Sequence, residues 1–229
     1  MKQINLSEDF RKFAGISSLQ MNRLQKHYSK PSMMTPNIIE ERPLNVASLD
    51  VFSRLMMDRI IFLGMPIDAQ IANIVMAQLL YLENVSSTED IKIYLNTPGG
   101  EIYSGNQMLD TMALIRPDVQ TIVCGMAASF GFMIAISGTK GKRAALKHSR
   151  LLCHQPLGSA SGQASDILIT ARQIELLKKE LCETISEKTG QPYDKVVTDC
   201  DRDNYMTSDE ALAYGAIDKI LTKPTEPTK

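Results

Sequence analysis

From about Asp50 onward the chain alternates short apolar runs with segments of helical periodicity, and this alternation restricts the fold more than any other feature. Arg59 to Leu63 (RIIFL), Ile91 to Leu95 (IKIYL) and Val119 to Cys124 read as buried strands. Between the first two, Asp68 is an N-cap candidate for a helix whose apolar residues are Ile71, Ile74, Val75, Ala77, Leu79 and Leu82. A second helix covers Tyr103 to Ile115 and ends near Pro117; a compact third covers Ala127 to Ser137. Two short strands follow, Arg143 to Leu146 and Arg150 to His154. Strands interleaved in this way with helices predict crossover units and a largely parallel sheet, an α/β fold.

The clearest helix is expected over Gln163 to Lys188, where Ile167, Ala171, Ile174, Leu177, Leu181 and Ile185 recur at three- and four-residue spacing and Gly190 stands at the C-cap. A helix of that length spans about 39 Å, long for a compact domain of this size. It either reaches another subunit or is a core helix with a frayed end.

Residues 1–34 differ from the rest. They hold six Lys or Arg and only two acids, Glu8 and Asp9, so their net charge is +4, against −1 for all 229 residues. Apolar spacing is weak there and Pro31 and Pro36 interrupt any helix, so the segment reads as an extension outside the core. It contains no apolar signal core, and Glu8 and Asp9 sit where transit peptides avoid acids. The near-neutral whole offers no basic excess for nucleic acid. No run approaches the ~20 apolar residues of a membrane span; the nearest, Met126 to Ser137, is broken by Ser129, Gly131 and Ser137. Cys124, Cys153, Cys182 and Cys200 are scattered, without a C-x-x-C pair or zinc-ligand spacing. They read as free, mostly buried thiols in a reducing compartment.

Only three histidines are available as a general base: His27, His148 and His154. His27 lies in the extension and His148 in a turn, whereas His154 ends a strand, where α/β sheets present functional groups. Ser129, in Gly125-Met-Ala-Ala-Ser-Phe-Gly131, falls in the first turn of a helix entered through a glycine turn. Free N–H groups and the helix dipole there favour an oxyanion. The match to the nucleophile elbow G-x-S-x-G is partial, because Ala127 replaces the first Gly. A second glycine turn, Asn96-Thr-Pro-Gly-Gly100, allows close backbone approach to a ligand but lacks the Lys of a phosphate loop. A carboxylate to orient an imidazole could be Asp199, Asp201 or Asp203, among which spacing does not choose.

Taken together, FSRLMMDRIIFLG (52–64), NTPGG (96–100), GMAASFG (125–131), KGKR (140–143), HQPLG (154–158), GQASDI (162–167) and DRDNYMTSDEALAYGAID (201–218) closely resemble one family, the proteolytic subunits of the caseinolytic protease (ClpP). The resemblance runs from about Met34 to Leu221. It implies the ClpP/crotonase-like fold of repeated β-β-α units, with a protruding handle helix within 159–190 of a peptidase domain at 50–222. It also implies serine endopeptidase activity with Ser129 as nucleophile, His154 as base, Asp203 as its orienting acid, and the backbone N–H groups of Gly100 and Phe130 as the oxyanion hole. Phe130 departs from the usual Met, and its ring is expected to alter the S1 wall.

By the same resemblance, two heptameric rings stack through their handles, with Gln163, Asp166, Asp201 and Arg202 at the contact between rings. An AAA+ Clp unfoldase such as ClpX, ClpA or ClpC would supply unfolded protein substrates and hydrolyse ATP, so this chain needs no cofactor and no metal. That partner would dock on apolar pockets at Lys92, Tyr94, Leu114 and Ala144; Lys92 and Ala144 stand where aromatics are common. Residues 1–34 are expected to be a propeptide cut near Met33–Thr35, 35–49 an axial-loop segment, and 223–229 a flexible tail. The implied location is the bacterial cytoplasm rather than an organellar matrix, with no nucleic acid or membrane partner. Two other readings are a catalytically weak ring subunit, kept open by Phe130 and the altered pocket, and a crotonase-like CoA enzyme, for which Glu101 is the only acid beside a glycine turn.

Overall fold

A computed structural model describes residues 37–42 and 45–223; the expected propeptide, its cleavage site and most of the expected C-terminal tail lie outside the described residues. The described backbone up to Val51 forms one unit, an antiparallel hairpin of β1 (Asn37–Arg42) and β2 (Asn45–Asp50) where only an axial-loop segment is expected. The second unit begins at Phe52.

Its elements follow the expected alternation. After α1 (Val51–Met57) come β3 (Ile60–Leu63), α2 (Ala69–Val85), β4 (Ile91–Thr97), α3 (Ile102–Leu114), β5 (Val119–Ala128) and α4 (Phe130–Ile136). Then follow β6 (Ala144–Leu146), β7 (Arg150–Cys153), α5 (Ala164–Thr189), α6 (Tyr193–Asp199), β8 (Asn204–Thr207), α7 (Ser208–Tyr214) and β9 (Lys219–Leu221). Asp68 caps α2 as its side-chain type predicts, accepting a hydrogen bond from the Ile71 N–H at 2.8 Å. Val75, Leu79 and Leu82 face the core from α2, joined by Ala72, whereas Ile74 points outward. Gly190 ends α5 in the left-handed conformation that glycine adopts most readily. None of the helices among the described residues is long and apolar enough to cross a membrane.

Seven strands form one sheet in the order β3-β4-β5-β6-β9, all parallel, with β7 parallel to the far end of β5 and β8 antiparallel to β7. Ile61, Leu63, Ile93, Leu95 and Val123 fill the buried face. On the opposite face the register aligns Phe62, Tyr94, Ile122 and Ala144 in one row.

The base of the sheet is tied by Arg143, one of the largest fully buried side chains. Its guanidinium donates to Asp218 Oδ1 and Oδ2 (2.7 and 2.9 Å), to the carbonyl of Lys188 near the end of α5 (2.8 Å) and to that of Ile136 at the end of α4 (3.3 Å). Asp218 Oδ2 also accepts from the N–H of Gly141 and of Arg143. Burial opposes ionisation of Asp218, but the guanidinium and these two amides outweigh it and hold the carboxyl at about 2. An Asp218→Ala variant leaves the Arg143 charge buried without a counterion and should lose about 3–5 kcal/mol in urea unfolding. Because the folded pKa is depressed, this carboxylate's contribution is complete above about pH 4 and is lost as the pH falls through about 2. Wild-type stability should therefore fall more steeply than that of the variant over that interval.

Candidate active site

Three strand ends define the site. The last paired residues of β5 and β7 are Ala128 and Leu152, and the Ser129 N–H continues the ladder by donating to the Leu152 carbonyl at 3.0 Å. Across the antiparallel pair, Cys153 faces Asn204, so the next position outward sets His154 against Asp203. Ser129, His154 and Asp203 thus each stand one residue beyond a strand and are brought together by register.

β5 reaches this position through an irregularity where the sequence predicts a glycine turn. The expected strand Val119–Cys124 does not stop at Gly125; it continues through it to Ala128. It pairs with β6 at Ile122 and Val123 and with β7 from Met126. Between Leu95 and Thr97 of β4 the register shifts, so that Val123 and then Ala127 are the partners on β5. Asn96 Oδ1 accepts from the Met126 N–H (3.2 Å) and Ser149 Oγ accepts from the Gly125 N–H (3.3 Å) while donating to the Val123 carbonyl (2.8 Å). These side chains satisfy backbone groups that the bulge removes from the ladder. Gly125 has φ 100, and a Cβ there would lie 2.7 Å from Asn96 Oδ1.

Ser129, expected in the first helical turn, is instead the residue preceding α4, with φ 54. A left-handed backbone at a non-glycine residue costs on the order of 1–3 kcal/mol and is held here by the elements on either side. It presents the hydroxyl to His154: Ser129 Oγ lies 2.8 Å from His154 Nε2, and Asp203 Oδ1 lies 2.9 Å from Nδ1. A carboxylate only accepts, so Nδ1 carries the proton and Nε2 is left to accept from the serine. His154 is mostly buried, whereas the Asp203 side chain is 60% exposed. Of the other two aspartates, Asp199 accepts from Tyr214 Oη (2.9 Å) and Asp201 turns toward Gln155 and Arg202.

The glycine turn after β4 packs directly on the nucleophile. A Cβ on Gly99 would fall 2.5 Å from the Ala128 carbonyl oxygen and 2.8 Å from Ser129 Cβ. Thr97 holds the turn, donating to the Met65 carbonyl (2.7 Å) and accepting from the Gly99 N–H (3.1 Å). Among the described residues, neither the Gly100 N–H nor the Phe130 N–H has a hydrogen-bond partner. The Phe130 ring is buried against Gly105 of α3, where a Cβ would come 2.1 Å from it. Beside Ser129 opens a cavity of about 320 Å³ lined by Ile102, Phe132, Met133, Cys153, Leu181 and Ile185 together with the site residues.

Gln155 is a further participant that lone-residue reasoning passed over, although it lies in the HQPLG motif. Its backbone N–H donates to the Cys200 carbonyl (2.6 Å), its amide donates to the Asp201 carbonyl (2.8 Å), and its Oε1 accepts from Lys178 of α5 (2.9 Å). It joins the histidine strand to the aspartate loop. Gln163 precedes α5 and Asp166 lies in its first turn; Arg202 is almost fully exposed, 3.9 Å from Asp201. Lys92 and Tyr94 share the open face of the sheet, where Tyr94 stacks on Phe62, and Leu114 is exposed in the last turn of α3. Ala144 lies in the same row but is buried, its methyl too short to clear its neighbours, so it gives no pocket surface of its own. His148 is exposed in its turn, and Glu101 accepts from the Ser104 hydroxyl. All four cysteines are free, Cys124 half-buried and the others buried. No cluster of metal-ligating side chains occurs among the described residues.

An alcohol whose proton can pass to an oriented imidazole, beside two unengaged amide donors, is suited to attack on a carbonyl carbon, and this defines the class as a serine hydrolase. Comparison with known proteins narrows the class. The Clp protease family model matches residues 44–224. The ATP-dependent Clp protease proteolytic subunit of Bacteroides fragilis is 53% identical over 220 residues, covering 94% of this chain and 99% of the relative. The subunit of that name from Porphyromonas gingivalis is 53% identical over 222 residues (94% and 98%), and that from Bacteroides thetaiotaomicron 51% over 220 (94% and 99%). The chain belongs to the Clp protease family, the serine endopeptidases of Clp type, whose chemistry is cofactor-independent.

Packing of the Gly99 turn on Ser129 gives a direct expectation. Gly99 has φ 88, so Gly99→Ala adds backbone strain to the two close contacts. The variant should keep its far-ultraviolet circular dichroism but lose on the order of 100-fold in fluorophosphonate labelling rate, because displacements near 1 Å have effects of that size.

Proposed function

We propose that the chain cleaves peptide bonds through Ser129, His154 and Asp203, as the peptidase subunit of a self-compartmentalising protease that degrades unfolded proteins. The observation that carries this reading is the continuous pair of contacts, 2.8 and 2.9 Å, from the serine through the imidazole to the carboxylate. Ser129 Oγ attacks the scissile carbonyl as its proton passes to His154 Nε2, and Asp203 stabilises the imidazolium. The oxyanion is received by the N–H groups of Gly100 and Phe130, each such donor being worth about 2.7–4 kcal/mol in the transition state. His154 then protonates the leaving amine. Water, deprotonated by the same nitrogen, releases the acyl group from Ser129. The apolar cavity suits an apolar side chain on the acyl side of the scissile bond.

Assembly into two stacked heptameric rings is the second part of the proposal. It is supported by α5: its buried side chains, Leu177, Cys182, Ile185 and Thr189, all lie in the C-terminal half. In the other half Leu168, Ile169 and Leu176 are exposed. Such a helix gains its apolar burial from a second copy, with Gln163, Asp166, Asp201 and Arg202 at the contact between rings. An AAA+ Clp unfoldase would dock on the sheet face carrying Lys92 and Tyr94, near Leu114, with Ala144 only as floor. The free thiols and the bacterial relatives support a cytoplasmic location. Residues 1–34 are read as a propeptide, 35–49 as the axial segment and 223–229 as a tail.

A fluorophosphonate should label Ser129 in the assembled wild type and not in Ser129→Ala; absence of labelling in an assembled protein would sink the proposal. Asp203→Asn should lower kcat by about 10²- to 10⁴-fold, through loss of the correct tautomer. Hydrolysis of a fluorogenic peptide should rise with pH along its acidic limb, since only the neutral imidazole accepts the serine proton. By native mass spectrometry, Arg202→Ala should shift the population from fourteen subunits toward seven.

A further inference from the structure

The turn that carries Gly100 is clamped against the segment between β3 and α2. Thr97 Oγ1 donates to the Met65 carbonyl (2.7 Å), the Ile67 N–H donates to the Gly99 carbonyl (2.8 Å) and the Glu101 N–H donates to the Ile67 carbonyl (2.9 Å). The last two bonds form a parallel bridge between Ile67 and Gly100, so close that a Cβ on Gly100 would fall 2.0 Å from the Ile67 carbonyl oxygen. This bridge fixes a direction. In a trans peptide the carbonyl and the following N–H point opposite ways. With the Gly99 carbonyl turned toward Ile67, the Gly100 N–H is turned away from it, in a turn that packs on Ala128 and Ser129.

Thr97 holds that orientation from within the core. Its side chain is fully buried, and the hydroxyl uses a donor and an acceptor at once, accepting from the Gly99 N–H at 3.1 Å while it donates to Met65. The methyl group makes a separate contact: a Cβ on Gly131, the residue after Phe130, would fall 2.7 Å from Thr97 Cγ2. One side chain therefore touches the segments that carry both amide donors, with its hydroxyl on the Gly100 turn and its methyl at the start of α4.

We propose that Thr97 is a positioning residue for the oxyanion hole, its hydroxyl aiming the Gly100 N–H and its methyl setting the distance from that turn to the Phe130 segment. Thr97 does not line the substrate cavity, so it acts only through the donors. A β-branched side chain has few rotamers open to it, and burial holds the hydroxyl and the methyl in fixed, different directions. Serine keeps the first group and valine keeps the second. An oxyanion exists only after the carbonyl has been attacked, so a misaimed donor lowers kcat and leaves substrate binding intact.

This inference rests on the proposed peptidase reading, in which Gly100 is an oxyanion donor, for its effect on turnover but not for the effect on the turn. Hydrolysis of a fluorogenic peptide is measured on the assembled full-length protein. Thr97→Val should lower kcat by about 10- to 100-fold, as displacement of one donor does, with KM changed by less than about threefold. Thr97→Ser should keep kcat within about threefold of the wild type, because the hydroxyl bonds remain. In parallel, amide hydrogen exchange is followed by mass spectrometry. Peptides covering Ile67 and Glu101, whose N–H groups the bridge protects, should exchange faster in Thr97→Val and at the wild-type rate in Thr97→Ser. Should Thr97→Val not assemble, Thr97→Ala carries the same expectations. The proposal is overturned by wild-type kcat or unchanged exchange in an assembled variant lacking the hydroxyl, by an equal fall in Thr97→Ser, or by a change confined to KM. A wild type that hydrolyses no peptide would instead refute the peptidase reading, while the exchange rates would still decide whether Thr97 sets the turn.

Discussion

The structure depends on the register of three strands, β5, β7 and β8. A parallel pair fixes where Ser129 stands relative to β7, and an antiparallel pair fixes His154 against Asp203. A shift of one residue in either ladder would turn the functional side chain to the other face, since side chains alternate along a strand. The site is therefore a property of pairing as much as of the three residues, and they lie 25 and 49 positions apart in sequence without any local contact to hold them.

Keeping that register requires β5 to change partners midway. The bulge around Gly125 lets the strand leave β6 and meet β7, and Asn96 and Ser149 occupy the gap with hydrogen bonds. At the end of the strand, Ser129 adopts a backbone conformation that a free chain would avoid, and the Gly99 turn, the Leu152 carbonyl and the buried helix α4 hold it there. At the opposite end of the sheet Arg143 ties the ends of α4 and α5 to Asp218, so the helix after the nucleophile and the helix beside the cavity share one anchor.

Much of this was legible in the sequence. Periodicity located the strands at 60–63 and 91–97 and the helices that follow them, because each buries one face and its apolar spacing reports that burial. The long helix was placed within one residue at each end, with its glycine cap. The path through Gly125 was not legible: a glycine after an apolar run signals a turn as readily as a bulge, and only the partners on either side decide between them. Strands β8 and β9 were missed because four and three residues carry too little periodicity, and their pairing is set by distant segments. Spacing left Asp199, Asp201 and Asp203 equivalent. The resemblance to a family singled out Asp203, and the pairing of Cys153 with Asn204 supplies the physical reason.

The central claim is that this register aims Ser129, His154 and the two amide donors at one carbonyl carbon. A crystal structure of the assembled protein treated with a peptidyl chloromethyl ketone bearing an apolar terminal residue tests it most directly. Covalent bonds are expected from Ser129 Oγ to the carbonyl carbon and from His154 Nε2 to the methylene. The former carbonyl oxygen should lie about 2.7–3.1 Å from the Gly100 and Phe130 nitrogens, with the apolar side chain among Phe132, Met133 and Ile185. Attachment at any other residue, or an oxygen turned away from both amides, would contradict it.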